Sequence, residues 1–436
     1  MTYTIRMMFH IMEFLNSVTG PITLATQTGE ALLLTVILQL IVIIAAARAG
    51  GWLFGRLGQP QVVGEIATGL LLGPSCFGRL MPELSAAVFP LQTDTVFMVF
   101  GQLGLMFLMF VVGLEFEFRH LKTLGRTAAG VALAGIVLPF ALGAALALSV
   151  HAELAADYSR PGFVLFIATA LSITAIPILG RIIMEFQLSQ TPLGVLTISA
   201  AAVDDALGWI LLASVSAAVN GSFEWLPVLG MLLLLGLFVA AVFFLIRPLL
   251  ISWSQRVLKK HDGGFPLIPF SLMILAVLLA AAATNAIGVF SIFGPFVLGA
   301  ALCDQREFQT AIRNRMEDFI TAFFLPVFFT YTGLRTNIGT LDSTYLWIVC
   351  GMVTLTATAG KMVGCGLAAW LGGMSWRDSA SVAVMMNTRA LMGLIAINIG
   401  RDIGVIPDSV FCMMVLMAIF TTLLTAPILR RLLPSE

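Results

Sequence analysis

Apolar runs of about twenty residues, separated by short clusters of charge, glycine, proline and asparagine, recur along the chain from residue 31 to residue 429. A helix needs about 20 such residues to cross the hydrocarbon layer of a bilayer, so each run predicts one membrane span. The runs lie near 31–53, 60–74, 95–114, 127–150, 161–180, 192–218, 225–246, 266–284, 287–303, 319–334, 345–371, 379–400 and 409–429, about thirteen in all. The second is short, and only Asn285 to Gly288 divides the eighth from the ninth. Residues 1–29 lack a sustained apolar stretch before a small-residue cleavage site, so they read as an N-terminal extension, either cleaved or interfacial.

Composition agrees with the pattern. Of 436 residues, 59% are hydrophobic and 11% charged, and the mean hydropathy is +1.01. These values define an all-α polytopic membrane protein. The 23 basic residues equal the 23 acidic ones, which excludes a basic face for nucleic acid. Five scattered cysteines without a CxxC pair read as apolar filling, and four histidines in tails or loops give no transition-metal cluster.

Charge position carries more than net charge. With the N-terminus outside and the C-terminus cytoplasmic, the cytoplasmic segments hold 16 Lys and Arg residues and the outer segments hold 5 (Arg6, Arg79, Arg160, Arg335 and Arg401). That asymmetry follows the positive-inside rule. Two basic residues fall on neither side: Lys361 and Arg389, near the midpoints of the eleventh and twelfth spans. Asp204 and Asp205 sit at the middle of the sixth, in TISAAAVDDALGWILLASV.

A charge at mid-bilayer costs roughly 2.5–3.5 kcal/mol on insertion scales, so four such residues point to one shared polar site. A purely structural Asp–Lys pair would leave one carboxylate unexplained. Successive helical residues point about 100° apart, so one aspartate can hold Lys361 while the other faces a cavity. Ala201, Ala202 and Gly208 on the same span permit close helix approach.

The fifth span, GFVLFIATALSITAIPILG, has Ser172, Thr174 and Pro177 at mid-depth. Pro177 has no amide hydrogen and would free a carbonyl near Ile173. The twelfth span has a polar centre of its own, Asn387, Thr388 and Arg389. The two spans are seven apart and run antiparallel, as in an inverted repeat relating spans 1–6 to 8–13 through span 7, and breaks at corresponding positions mark a mid-membrane ion site. Thr174 is expected to complete the oxygen shell of an ion. Arg389 is expected to offset exposed carbonyls at the break in its own span and to pair with Glu65 of the second.

These segments resemble the monovalent cation:proton antiporter family that includes NapA-type sodium/proton antiporters, Kef-type systems and plant cation/proton exchangers. The resemblance runs from about residue 31 to 432 through GQPQVVGEIATGLLLGPS, SITAIPILGRIIMEFQL, AAAVDDALGWILLA, LPVFFTYTGLRTNI, GKMVG and NTRALMGLIAINIG. It implies an NhaA/NapA-like fold of 13 helices with two crossed broken helices. The implied division is a panel of spans 1–3 (30–124) and 8–10 (263–342), which dimerises, a transport core of spans 4–6 (125–220) and 11–13 (343–436), and a linker (221–262). It further implies Asp205 as the main ligand of sodium, potassium or lithium, Asp204 beside it, and Lys361 paired when no ion is bound.

The function so implied is exchange of a monovalent cation, sodium first, for protons across the plasma (inner) membrane. The exchange would be electrogenic, with no enzymatic activity and no cofactor beyond the transported ions. Partners would be membrane lipid and a second copy of the chain. Plant exchangers often carry Asn-Asp where this chain has Asp204-Asp205, and no nucleotide-binding or long regulatory tail is expected after Glu436. Potassium selectivity and ligand gating are therefore not carried over. A Kef-like potassium/proton antiporter and a sodium-coupled organic-solute symporter are the rival transporters. Adjacent carboxylates on one helix beside a lysine argue against an intramembrane aspartyl protease.

Overall fold

A computed structural model of the chain describes residues 29–90, 93–115, 126–174, 179–180, 182–183, 186–188, 191–220, 225–261 and 265–433, and every regular element among them is helical. All but the last residue of the N-terminal extension lies outside the described residues, as do Pro177 and the side chains of Ala202 and Asp205.

Apart from the short helical turns Phe77–Leu80, Pro82–Val88 and Ile338–Thr340, the helices in chain order are α1 (Gly29–Arg56), α2 (Gln61–Leu72), α3 (Asp94–Leu114), α4 (Arg126–Leu154), α5 (Arg160–Ser172) and α6 (Pro192–Asn220). Next, α7 (Trp225–Ala241) continues through a π turn, Val242–Ile246, into Arg247–Lys260. Then come α8 (Leu267–Ile287), α9 (Phe293–Ala301), and α10, which runs Arg306–Phe319, through a π turn Ile320–Phe324, into Leu325–Leu334. Last are α11 (Thr344–Leu371), α12 in two halves (Trp376–Met386 and Ala390–Asp402) and α13 (Asp408–Leu432). Seven helices among the described residues are long and apolar enough to cross a membrane: α1, α3, α4, α7, α8, α11 and α13.

Helix starts follow local chemistry. Ser343 accepts from the Leu346 amide to cap α11, and Ser375 accepts from Asp378 N while donating to its carboxylate at the head of α12. Two helices extend beyond the apolar runs. In α10 the charged stretch Arg306–Phe319 is helical because Phe308, Ile312 and Met316, four apart, form one buried stripe. In α7 the basic segment after Ile246 likewise stays helical to Lys260, burying Ser254 and Leu258.

The helices pack in two groups. α4 lies against α5, α6 and α11, which in turn carries α12 and α13; α2 lies against α1 and α10, and α3 against α9 and α10. The α4–α11 seam is the closest in the first group. A Cβ on Gly360 would stand 2.8 Å from Pro139 Cα, and one on Gly135 would stand 2.6 Å from Cys365 Sγ. The missing side chains let the two backbones approach until Lys361 lies against α4.

At the helix ends, the polar links among the described residues join segments that the charge pattern puts on one side. Arg313–Glu115 (3.3 Å), Arg247–Asp304 (2.6 Å), and Arg430 Nη2 to Gly58 O (3.2 Å) lie on what is here called the Arg313 face. Burial pushes the Glu115 carboxyl above its ordinary range, and Arg313 beside it opposes that push. On the opposite, Arg335 face are Arg335–Asp402 (2.7 Å), Arg401–Asp408 (2.8 Å), and Tyr331 Oη to Asp94 Oδ1 (2.7 Å).

Candidate ion site at two helix breaks

Helix α5 stops at Ser172 because the backbone turns extended at Ile173, with φ −75° and ψ 140°. Helix α12 stops at Met386 and restarts at Ala390, leaving Asn387, Thr388 and Arg389 between its halves. The two interruptions touch. Thr174 Oγ1 donates to the Met386 carbonyl at 3.0 Å, so a hydroxyl from one break satisfies the last carbonyl before the other. Gly208 of α6 closes the third side, since a Cβ there would stand 2.9 Å from Ile173 Cγ1.

Beside the breaks, Lys361 Nζ donates to Asp204 Oδ2 at 2.8 Å, and both side chains are 0% exposed. The other carboxylate oxygen, Asp204 Oδ1, is buried and has no hydrogen-bond partner among the described residues. Asn387 Oδ1 is buried and unpartnered in the same sense. Unsatisfied acceptors in a dry interior are costly, so each of these oxygens is free to take a proton or a small cation. Asp205 follows Asp204 on α6, and its backbone is helical.

Arg389 is fully buried and binds carbonyls rather than acids. Nη1 donates to Leu171 O and, at 3.4 Å, to Ala170 O; Nη2 donates to Ala357 O at 2.8 Å. This alters the expectation for Arg389. The carbonyls it covers are those at the end of α5 and in α11, not those of its own break. The expected pairing of Arg389 with Glu65 is not found: Glu65 Oε1 stands 3.7 Å from Arg48 Nη1, inside the α1–α2–α10 group. Arg48 also donates to the Thr321 carbonyl within the π turn of α10 at 2.5 Å.

The remaining predicted residues line the breaks without pointing at the carboxylate. Ser172 donates to Thr169 O at 2.7 Å and Thr388 to Met385 O at 2.8 Å, each back onto its own helix. Sequence reasoning missed the carbonyls of Ala170, Leu171, Ala357 and Met386, because backbone acceptors have no letter in a sequence. It also missed Thr422, whose hydroxyl accepts from the Arg389 amide at 3.5 Å. A polar residue in the apolar run of α13 was the available signal.

With this geometry in view, comparisons with known proteins agree on one relationship. The family model described as sodium/hydrogen exchanger, transmembrane, matches residues 40–433. The chain is 37% identical over 413 residues to the Na(+)/H(+) antiporter NhaS4 of Synechocystis sp., covering 92% of this chain and 98% of that one. It is 38% identical over 395 residues to Cation/H(+) antiporter 18 of Arabidopsis thaliana, covering 90% of this chain and 48% of that one. The chain thus spans about half the length of this plant relative. Its fold is similar to that of the sodium proton antiporter MjNhaP1 from Methanocaldococcus jannaschii, with a TM-score of 0.65 at 15% identity, over 92% of this chain and 96% of that one.

Proposed function

Because this chain belongs to the sodium/hydrogen exchanger family, we propose that it is a secondary transporter that exchanges a monovalent cation for protons at Asp204, Asp205 and Lys361. One observation carries the assignment of residues: a fully buried Asp204–Lys361 pair with a free carboxylate oxygen, set against two helix breaks. Cation and proton compete for the same oxygens, since the metal needs the ionised carboxylate and protonation expels it. Asp205 is the main cation ligand in this reading, and Asp204 is held by Lys361 until the ion arrives. Thr174, Asn387 and the carbonyls at the breaks supply the neutral oxygens, while Arg389 fixes the end of α5 so that those oxygens stay in place.

Displacement of protons from both the Asp205 carboxyl and the Asp204–Lys361 pair moves more protons than cations, which makes exchange electrogenic. The group α4–α6 and α11–α13 moves as a body against α1–α3 and α8–α10, carrying the site between the two aqueous faces across about thirteen spans. The N-terminus lies outside, the C-terminus in the cytoplasm, and the chain works in the plasma membrane as a homodimer through the α1–α3 and α8–α10 group. Sodium is the first candidate cation because NhaS4, the relative matched over nearly its whole length, is named a Na(+)/H(+) antiporter. Potassium is the second, since a relative 28% identical over 395 residues is a yeast protein named K(+)/H(+) antiporter 1, of which the chain covers 44%.

The test uses the full chain in sealed vesicles with a pH-sensitive dye, adding sodium, lithium and potassium in turn. Luminal pH changes on cation addition in the native protein and stays flat in the Asp204→Asn, Asp205→Asn double variant. Exchange at undiminished rate in that variant would overturn the assignment.

A further inference from the structure

On the Arg335 face the two helix groups are tied by side chains. Asn398, on the second half of α12, is 7% exposed and donates through Nδ2 to Thr332 Oγ1 of α10 at 3.0 Å. Its Oδ1 accepts from Arg335 Nη1 at 3.5 Å. Arg335, just past the end of α10, pairs with Asp402 at the end of α12 at 2.7 Å, their side chains 14% and 24% exposed. Arg401 Nη1 donates to the Arg335 carbonyl at 3.1 Å while its Nε holds Asp408 of α13 at 2.8 Å. On the Arg313 face the corresponding tie between the groups, among the described residues, is Arg430 to the Gly58 carbonyl at 3.2 Å.

The seam behind these links is nearly closed. A cavity of about 60 Å³ remains there, bounded by Leu105 and Gly101 of α3 on one side and Ile395, Asn398 and Asp402 on the other. A second cavity, of about 430 Å³, reaches Arg335 and Arg401 from the α1–α3 side.

We propose that Thr332, Asn398, Arg335, Arg401 and Asp402 form a latch that closes the ion site to the Arg335 face and must part before the site can open there. The proposal rests on the alternating-access reading given above. The chemistry favours the closed position. Asp402 is the last residue of α12, where the negative end of the helix disfavours a carboxylate, so the Arg335 charge over it favours the closed seam. The Asn398 amide is buried and loses two of its three partners when the seam opens. Water must enter at both places in the same motion, which makes opening cooperative.

The test places a reporter thiol in the seam. Leu105→Cys, 5% exposed in the native chain, is introduced into the full-length protein with its two half-buried native cysteines, Cys76 and Cys303, replaced by Ser. Vesicles of single orientation are treated from the Arg335 face with an impermeant, positively charged thiol reagent. Labelling of Leu105→Cys is slow with the latch intact and about five- to tenfold faster with Asp402→Asn or Arg335→Gln. The charge-swapped pair Arg335→Asp with Asp402→Arg returns labelling towards the slow rate, which separates a latch from mere loosening of the fold. Equal labelling in all four backgrounds overturns the proposal, as does fast labelling in the swapped pair with an unchanged melting temperature. The readout needs no transport. If labelling depends on the latch but no cation drives proton flux in the native protein, the functional reading fails and the latch stands; flux with latch-independent labelling is the reverse.

Discussion

Two acid–base pairs of almost the same length hold this molecule: Lys361–Asp204 at 2.8 Å in the middle and Arg335–Asp402 at 2.7 Å at the rim. The first is 0% exposed on both sides; the second keeps 14% and 24%. Contact length therefore says little about what each does. In the dry interior neither ion can be left alone, so the pair is committed unless another cation or a proton takes a place in it. At the rim, water substitutes readily for either partner, so the pair can part and re-form with modest cost. The middle pair suits exclusion between ions, and the rim pair suits timing.

The sharpest way to break this contrast is to delete one partner from each. Lys361→Ala leaves a bare carboxylate in the interior and lowers unfolding stability by about 3–5 kcal/mol. Replacing both members, as Lys361→Met with Asp204→Leu, recovers most of that loss while exchange stays absent. Thermal unfolding in detergent measures both. Should Lys361→Ala melt no earlier than Asp402→Asn, the division into dry and wet pairs is wrong.

The next effect is at Arg389, where Arg389→Met strips the cover from the carbonyls of Leu171 and Ala357 and costs about 1.5–3 kcal/mol. The same variant weakens apparent cation affinity through the displaced end of α5, read from the cation concentration that gives half-maximal dye response. Thr174→Val is smaller. It removes one hydroxyl-to-carbonyl bond between the two breaks, about 1 kcal/mol, and raises the half-maximal cation concentration. Unchanged affinity takes Thr174 off the ion's shell. Smallest in stability is Asp402→Asn, below about 1 kcal/mol and further reduced in salt, a difference that a titration of melting temperature against ionic strength resolves.

How much of this was readable beforehand differs between the same two regions. The interior pair announced itself, because a charge in an apolar run has few physical excuses: Lys361 stood alone in its run, and Asp204 shared its own only with Asp205. The breaks were half legible. Polar centres in spans 5 and 12 gave their positions, yet the acceptors that Arg389 covers are main-chain carbonyls, set by tertiary contact and absent from any residue pattern. Arg335 and Arg401 were visible only as two of the five charges that the positive-inside pattern assigned to the outer side. Ordinary loop charges look the same in a sequence, and only packing shows that Asn398 and Thr332 lie beneath them. The helical continuations into Arg306–Phe319 and Arg247–Lys260 were missed for a related reason: a span rule counts apolar residues and stops where charge begins, while a helix needs only one buried stripe to go on.

The contact between Gly360 and Pro139 sets a mechanical tolerance for the whole exchange. Lys361 is the very next residue, so the reach of its ammonium is fixed by how thin two backbones are where they rub together. One added methyl group at that point would wedge the neighbouring rods apart and retract the charged tip from its acid, without altering any residue that touches an ion.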